Sequence, residues 1–432
     1  MLRNRYDAPA RTGICGLRSG PVRRRRTPQK AGFAPGGRRR PTGFLRADNK
    51  SNNRNPSVGT AMKLTIERAA LLKSLAHVQS VVERRNTIPI LSNVLLDATG
   101  AGLTLTATDM DLAIVETVPA DVGGKGATTV PAHTFYDIVR KLPEGSQIAL
   151  ETGADGGQLS LRAGRSRFSL ATLPKEDFPS VGGDSLPHKF DVPTAELRDL
   201  IERTRFAIST EETRYYLNGI YLHAAGGKKK SLRGVATDGH RLARVDLTLP
   251  DGAGEMPGVI VPRKAVGEIV KLIEGTDGAV QVQLSEARIS VSIGPVLLTS
   301  KLIDGTFPDY ERVIPGGNDK SMQVDCKSFA EAVDRVATIS SEKSRAVKLA
   351  LSAGTLTLTA TSPESGTAQE EVEIAYDGQP LEIGFNARYL IDIAQQIRGE
   401  KATFALADAA SPTLIRDPAD ASALYVLMPM RV

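Results

Sequence analysis

The nine residues ATDGHRLAR (236–244) set an Asp, a His and an Arg within four positions. Asp238 beside His240 has the makings of a general acid–base pair, in which a carboxylate orients an imidazole. No nucleophile lies near them in sequence, and no oxyanion-hole motif accompanies them. The competing reading is structural. Thr237, Asp238 and Gly239 are residue types that turn the chain between two strands, which leaves His240 and Arg241 to line a binding surface. The rest of the chain offers little chemistry. Its five histidines, at 77, 133, 188, 223 and 240, never fall at metal-ligand spacing. Two cysteines, Cys15 and Cys326, make no disulfide framework and point to a reducing compartment. Phosphate-binding glycine loops, G-x-S-x-G and H-E-x-x-H are absent. No catalytic residue, metal or cofactor is assigned, and no enzyme is expected.

The elements that must position these residues are repeated, and the repeat decides between the readings. LTLTATDMDLAIVETV (103–118) recurs as LRGVATDGHRLARVDL (232–247) and as LTLTATSPESGTAQEEVEI (356–374). VPAHTFYDIVRKLPEG (130–145) recurs as VPRKAVGEIVKLIEG (261–275) and FNARYLIDIAQQIRG (385–399). RFSLATLPKEDFPSV (167–181) matches LLTSKLIDGTFPDYERV (297–313). The Asp–His pair therefore belongs to one of three copies. The first copy has Met110 and Asp111 in place of Gly239 and His240, and the third lacks both Asp and His. A turn is favoured over a catalytic dyad.

Each copy contains two similar halves. In the first, a strand KLTI (63–66) precedes a helix over 67–82, with Leu71, Leu72, Leu75, Val78 and Val82 at helical spacing. Strands near 91–98, 102–108 and 112–118 follow. LTLTAT alternates with period two, as a half-buried strand does. The second half repeats the plan: strand ATTV (127–130), helix from 132, then QIALET, QLSLRAG and RFSLATL. The plan βαβββ, twice per copy, predicts an α+β arrangement with helices on one face of antiparallel sheets.

Charge is divided along the chain. The net +6 of the 432 residues splits into +13 over residues 1–61 and −7 over the remainder. The first 61 residues, with RRRR at 23–26 and RRR at 38–40, lack apolar periodicity and are expected to be disordered. They read as a transit peptide, a nucleic-acid-binding arm, or sequence upstream of a start at Met62. In the acidic body, cations recur on the helices: Arg68, Lys73, Arg140 and Lys141, then Arg198, Arg203, Arg205, Lys264 and Lys271, then Lys327, Arg335, Arg388 and Arg398. A positive helix face without a base-reading motif suits phosphate contacts independent of sequence.

From Met62 to Val432 the chain resembles the bacterial DNA polymerase III beta subunit, the replicative sliding clamp family. The resemblance rests on RYYLNGIYL (214–222), VATDGHRLA (235–243), VIVPRKAV (259–266), TSKLIDGTFPDY (299–310), EIGFN (382–386) and YVLMPMR (425–431), in order along the body. It implies the DNA clamp fold, with helices inside and antiparallel sheets outside. The expected domains are 62–183, 187–314 and 320–432, and the extension 1–61 has no counterpart in the family.

The resemblance further implies a head-to-tail homodimer that encircles duplex DNA and slides on it as a processivity factor. Implied DNA contacts are Arg84, Arg85, Arg214, Tyr215 and Tyr216. The implied dimer edge has Arg165, Arg167 and Phe168 on one side; Ile339 at a helix end, with Glu370, Glu371 and Glu373 on a strand, form the other. A cleft between the second and third domains would take short peptides from the replicative polymerase alpha subunit, the clamp loader, translesion polymerases and mismatch-repair proteins. Its implied residues are Leu217, Thr237, Gly239, His240, Arg241, Leu242, Pro308, Arg312, Val313, Asn386, Tyr389, Val426, Met428, Pro429, Met430 and Arg431. Ser344 and Pro412 depart from the family pattern at the rim. The implied setting is the bacterial cytoplasm, at the nucleoid during replication, with no membrane partner.

Overall fold

Six units of one plan follow each other along the chain. The computed structural model describes residues 61–153, 156–183, 185–227, 230–341 and 345–431. The basic extension, apart from Ala61, lies outside the described residues, and so does Ser344. The first unit is β1 (Lys63–Glu67), α1 (Arg68–Gln79), β2 (Asn93–Thr99), β3 (Gly102–Thr108) and β4 (Leu112–Val118), followed by a short extra strand, β5 (Asp121–Gly124). The second is β6 (Gly126–Pro131), α2 (Ala132–Lys141), β7 (Gln147–Thr152), β8 (Gln158–Ala163) and β9 (Ser166–Ala171). The third is β10 (His188–Pro193), α3 (Thr194–Arg205), β11 (Gly219–Ala225), β12 (Ser231–Thr237) and β13 (Arg241–Thr248). The fourth is β14 (Val259–Pro262), α4 (Arg263–Ile273), β15 (Ala279–Leu284), β16 (Arg288–Ile293) and β17 (Val296–Lys301). The fifth is β18 (Lys320–Asp325), α5 (Cys326–Ala337), β19 (Ala346–Ser352), β20 (Thr355–Ser362) and β21 (Gly366–Glu373). The sixth is β22 (Leu381–Asn386), α6 (Ala387–Ala394), β23 (Lys401–Leu406), β24 (Thr413–Asp417) and β25 (Asp420–Leu427).

Local chemistry starts each helix in one of two ways. Glu67, Asp325 and Asn386 cap α1, α5 and α6: their side-chain oxygens accept from the backbone N–H of Ala70, Ser328 and Arg388. Pro131, Pro193 and Pro262 precede α2, α3 and α4, where a ring-fixed φ turns the chain out of a strand with no donor left unpaired. The helix expected over 67–82 stops at Gln79, because the N–H of Ser80 turns back to the His77 carbonyl and that of Val81 to the Val78 carbonyl. Val81 and Val82 are still buried just beyond it, whereas Leu72 is only half-buried. β5 was not expected: DVGG has little strand propensity, and it forms by pairing to the edge of β1.

The sheets ignore the domain boundaries. An eight-stranded antiparallel sheet runs β10-β15-β16-β17-β4-β3-β2-β6, and another runs β14-β11-β12-β13-β25-β24-β23-β18. Each is half from one domain and half from the next, joined by β17 to β4 and by β25 to β13. Two smaller sheets, β5-β1-β7-β8-β9 and β21-β20-β19-β22, end on β9 and β21. Among the described residues neither β9 nor β21 has a second neighbour, so each presents an unpaired row of backbone donors and acceptors.

Helices pack in pairs within each domain, α1 with α2, α3 with α4 and α5 with α6. Leu71, Leu75, Phe135, Val139, Phe329, Val333 and Leu390 are turned into a core shared with the strands. The opposite helix face exposes Lys73, Arg140, Lys141, Arg205, Lys327 and Arg388. Arg203 corrects the expectation of an all-exposed set. Its side chain is 4% exposed and pairs with Asp199 (3.3 Å) and with Asp420 of the third domain (2.8 Å). Its Nε donates to the buried Tyr425 hydroxyl. Arg203 therefore joins two domains, and its charge is unavailable to a ligand.

Candidate functional site

The stretch 236–244 is a strand turn. β12 ends at Thr237 and β13 begins at Arg241, with Gly239 at φ +87°, a conformation that favours glycine. Asp238 Oδ1 accepts from the backbone N–H of His240 (2.9 Å) and Arg241 (3.0 Å), an Asx turn. Its Oδ2 accepts from Arg241 Nε at 3.1 Å. The imidazole of His240 stacks on Tyr389, with ring centroids 6.3 Å apart. Asp238 is thus committed to the turn and to Arg241, and the acid–base reading has no geometry behind it.

Beside this turn lies a cavity of about 260 Å³ at the junction of the second and third domains. Its lining includes Leu217, Thr237, Gly239, Arg241, Leu242, Pro308, Val313, Val426 and Met428. The floor is a distinct apolar cluster in which Leu217, Leu242 and Val426 are at most 4% exposed and pack with Phe307 and Tyr310. Phe307 stacks on Tyr221 at 4.9 Å. Tyr310 and Asp309 also line the cavity. Both were missed in the sequence, although they stand in the matching FPDYERV segment.

The sixth unit and the segment after it bring Val426 and Met428 into the lining, and Tyr389 is not itself part of it. Tyr389 on α6 lies 4.3 Å from the Arg241 guanidinium. Burial, with the Asp238 carboxylate adding to it, pushes the Tyr389 phenol above its ordinary pKa, so it stays protonated and able to donate. Met430 N–H donates to Gly384 O (2.9 Å), and Met428 N–H to His240 O (2.9 Å), which ties the C-terminal segment 428–430 to both domains. Asn386 spends its side chain capping α6. Arg312 is 84% exposed and paired with Asp309 at 2.7 Å. Pro429 is half-buried and Arg431 exposed. Pro412 accepts a hydrogen bond from Asn318 through its carbonyl.

Of the residues implied for DNA, Arg84 and Arg85 are exposed on the segment after α1. Tyr215 is 51% exposed. Arg214 and Tyr216 line the cleft. The Arg214 guanidinium is gripped by Glu211 at 2.7 Å through two nitrogens and lies over Gly239. Sequence position beside Tyr215 hid this, because a six-residue 3-10 helix with a kink at Arg214 aims neighbouring side chains to different sides.

Arg165, Arg167 and Phe168 are exposed at the β8–β9 turn and along the open strand β9. Ile339 lies two residues past α5 and is half-buried. Glu370 is half-buried on β21. Arg335 of the same chain already holds its carboxylate at 2.6 Å, which keeps the acid below the usual carboxylate range. Glu371 and Glu373 remain exposed on β21.

This geometry defines a class of protein: a scaffold of repeated domains with an adaptable apolar cleft at one junction and no assembled catalytic group among the described residues. Methionine in the cleft wall suits varied ligands. Three family models match in order: the N-terminal domain of the DNA polymerase III beta subunit over residues 62–182, its central domain over 191–309 and its C-terminal domain over 311–431. The beta sliding clamp of Caulobacter vibrioides is 57% identical over 373 residues, covering 86% of this chain and all of the relative. That of Escherichia coli K12 is 41% identical over 372 residues, with the same coverage. Among solved structures, the Bartonella birtlesii clamp bound to griselimycin has a TM-score of 0.84 at 52% identity. A Caulobacter crescentus clamp, with polyethylene glycol in its proposed beta-motif tethering region, has a TM-score of 0.83 at 56% identity. Each covers 86% of this chain and all of the other. The chain belongs to the DNA polymerase III beta subunit family, the beta sliding clamps, which are non-catalytic processivity subunits.

Proposed function

We propose that two copies of the chain close head to tail into a ring around duplex DNA, and that the cleft tethers polymerases and other replication and repair proteins to it. The observation that carries the ring is the strand pair left open at the two ends. Both internal junctions join the last strand of a domain's first unit to the last strand of the next domain's second unit: β4 to β17, and β13 to β25. The open strands β21 and β9 are those same two types. A second copy supplies each of these two strands with its neighbour, and the pattern of the internal junctions is repeated around the ring.

A register for the ring's closure can be carried over from the internal junctions. Ile114 lies opposite Leu298 at one junction and Ala243 opposite Tyr425 at the other. Ala368 stands to β20 as Ile114 does to β3, and Phe168 to β8 as Leu298 does to β16. Carried to the open edges, this register sets Phe168 against Ala368, Arg167 against Gln369 and Arg165 against Glu371. An aromatic facing a small residue repeats the Tyr425–Ala243 pair, and Arg165 facing Glu371 adds opposite charges.

Exposed Lys73, Arg140, Lys141, Arg205, Lys327 and Arg388, with Arg84, Arg85 and Tyr215, provide phosphate contacts that carry no sequence information. Such contacts are salt-sensitive and weak, so the ring holds DNA by linkage and remains free to slide. The cleft accepts short apolar peptides from the polymerase alpha subunit, the clamp loader, translesion polymerases and mismatch-repair proteins, in the bacterial cytoplasm at the replicating nucleoid. Griselimycin, bound by the Bartonella relative, is a natural probe of this chain.

Retention on DNA tests the ring. The chain is loaded onto nicked circular DNA by a cognate clamp loader with ATP, and the DNA is then cut once. Retention on the circle with rapid loss after cutting is the expected result. Equal retention on circle and linear DNA means direct binding, with the Arg-rich extension the first place to look.

A further inference from the structure

We propose that Asp392, on α6, is a positioning residue of the cleft: it locks Arg241 across the domain junction so that Arg241 supports the ring of Tyr389. The inference deepens the peptide-tethering reading and rests on it.

Arg241 is a second-domain residue whose side chain is 8% exposed. A buried guanidinium is tolerated only when its donors are satisfied, and here three directions are filled. Nε donates to Asp238 in its own turn at 3.1 Å, Nη2 to the Phe206 carbonyl at 2.6 Å, and Nη1 to Asp392 at 2.6 Å. Only the last of these partners comes from the third domain. The guanidinium also lies 5.0 Å from the Phe206 ring and 4.3 Å from the Tyr389 ring, so it fills the space between two aromatics. Asp392 and Tyr389 are three residues apart on α6 and share a face. One helix face thus presents the aromatic and the carboxylate that anchors the cation beneath it.

The first junction serves as a built-in control. Six residues after the cap of α4 stands Glu268, as Asp392 stands six after the cap of α6. Three residues before Glu268 is Ala265, where α6 has Tyr389. Leu112 opens β4 where Arg241 opens β13. Without the cation and the aromatic, Glu268 takes the Ser80 hydroxyl at 2.5 Å and Lys271 at 2.8 Å instead. The carboxylate is present at both junctions. Its use as an anchor accompanies the aromatic ring on the same helix.

The test is fluorescence anisotropy on the full chain with fluorescein-labelled griselimycin, the ligand bound by the Bartonella relative. Asp392→Asn keeps an acceptor but removes the charge. It is expected to weaken the probe at least about fivefold, through faster dissociation. In a Tyr389→Ala background the same change is expected to have no further effect. Arg241→Lys, which cannot span three acceptors or lie flat between two rings, is expected to reproduce the loss and the coupling; it carries the test if Asp392→Asn does not fold. Unchanged affinity in Asp392→Asn, or an equal loss in both Tyr389 backgrounds, overturns the positioning role while the cleft stands. Failure of the unaltered chain to bind the probe overturns the cleft reading, and this inference with it.

Discussion

The junction of the first and second domains and that of the second and third share one backbone, yet the described cleft lies at the second. In both, a Thr hydroxyl closes the turn onto the carbonyl of the first residue of the next strand, Thr108 to Leu112 at 2.9 Å and Thr237 to Arg241 at 2.7 Å. In both, the neighbouring strand sends the same N–H back: Lys301 to Asp111 at 2.7 Å and Met428 to His240 at 2.9 Å. The side chains on this common frame differ. The first junction has an ion pair of Lys301 with Asp111 at 2.9 Å, and Lys264 bonded to Asp109. At the second, Met428 and His240 occupy the places of Lys301 and Asp111, and Gly239 replaces Met110. On one backbone frame, the second junction carries apolar and aromatic groups where the first carries a charged seal.

The sharpest way to break the second junction is Arg203→Met. It takes the cation from Asp420 beside the buried Tyr425, while Asp199 keeps Arg398, and is expected to destabilise the chain by about 3 kcal/mol, read as a lowered urea midpoint. An unchanged midpoint would mean that this buried cation does not join the two domains.

Exchanging the two turns comes next. Gly239→Met asks a side chain to adopt φ +87° with its Cβ 2.5 Å from Arg214 Nη1. The expected cost is about 1–3 kcal/mol, with loss of griselimycin binding by calorimetry. Met110→Gly relieves the first junction's φ of +80° and is expected to raise stability by about 1 kcal/mol. It creates no second site, since Leu112, Ala265 and Lys301 remain. Binding at two sites per chain would show that the turn alone makes the cleft.

The smallest effect belongs to Lys301→Ala. Its pair with Asp111 is 49% and 76% exposed, so thermal unfolding is expected to register less than about 1 kcal/mol.

Much of this was legible in the sequence because it is local or repeated. The three ATD and ATS segments, the βαβββ order and the Thr-Asp-Gly turn follow from periodicity and turn chemistry. So does the core face of α1, apart from Leu72, which is only half-buried. What was not legible depends on partners distant in the chain. No pattern in β4 says that it pairs with β17, 180 residues on, instead of ending its sheet. Arg203 reads as one helix cation among many until Asp420 and Tyr425 close over it. Arg214 reads as a neighbour of Tyr215 until the kinked 3-10 helix turns it toward Gly239. The pair of Glu370 with Arg335, 35 residues away in sequence, likewise has no signal in the pattern.

The central claim is that the ring closes by repeating its internal junction, and a cross-link across β9 and β21 tests it most directly. Paired residues in an antiparallel ladder come within disulfide reach. Arg167→Cys with Gln369→Cys is expected to give, on mild oxidation, a two-chain species closed by two disulfides on a non-reducing gel. Cys15 is changed to Ser in the tested chain, and the native Cys326 should not interfere, because burial and the nearby Asp325 and Asp417 charges push its thiol up to about 11. Efficient closure of this pair, with little from Arg167→Cys and Glu371→Cys, is the predicted result. No two-chain product, or preferential closure of the shifted pair, would contradict the account.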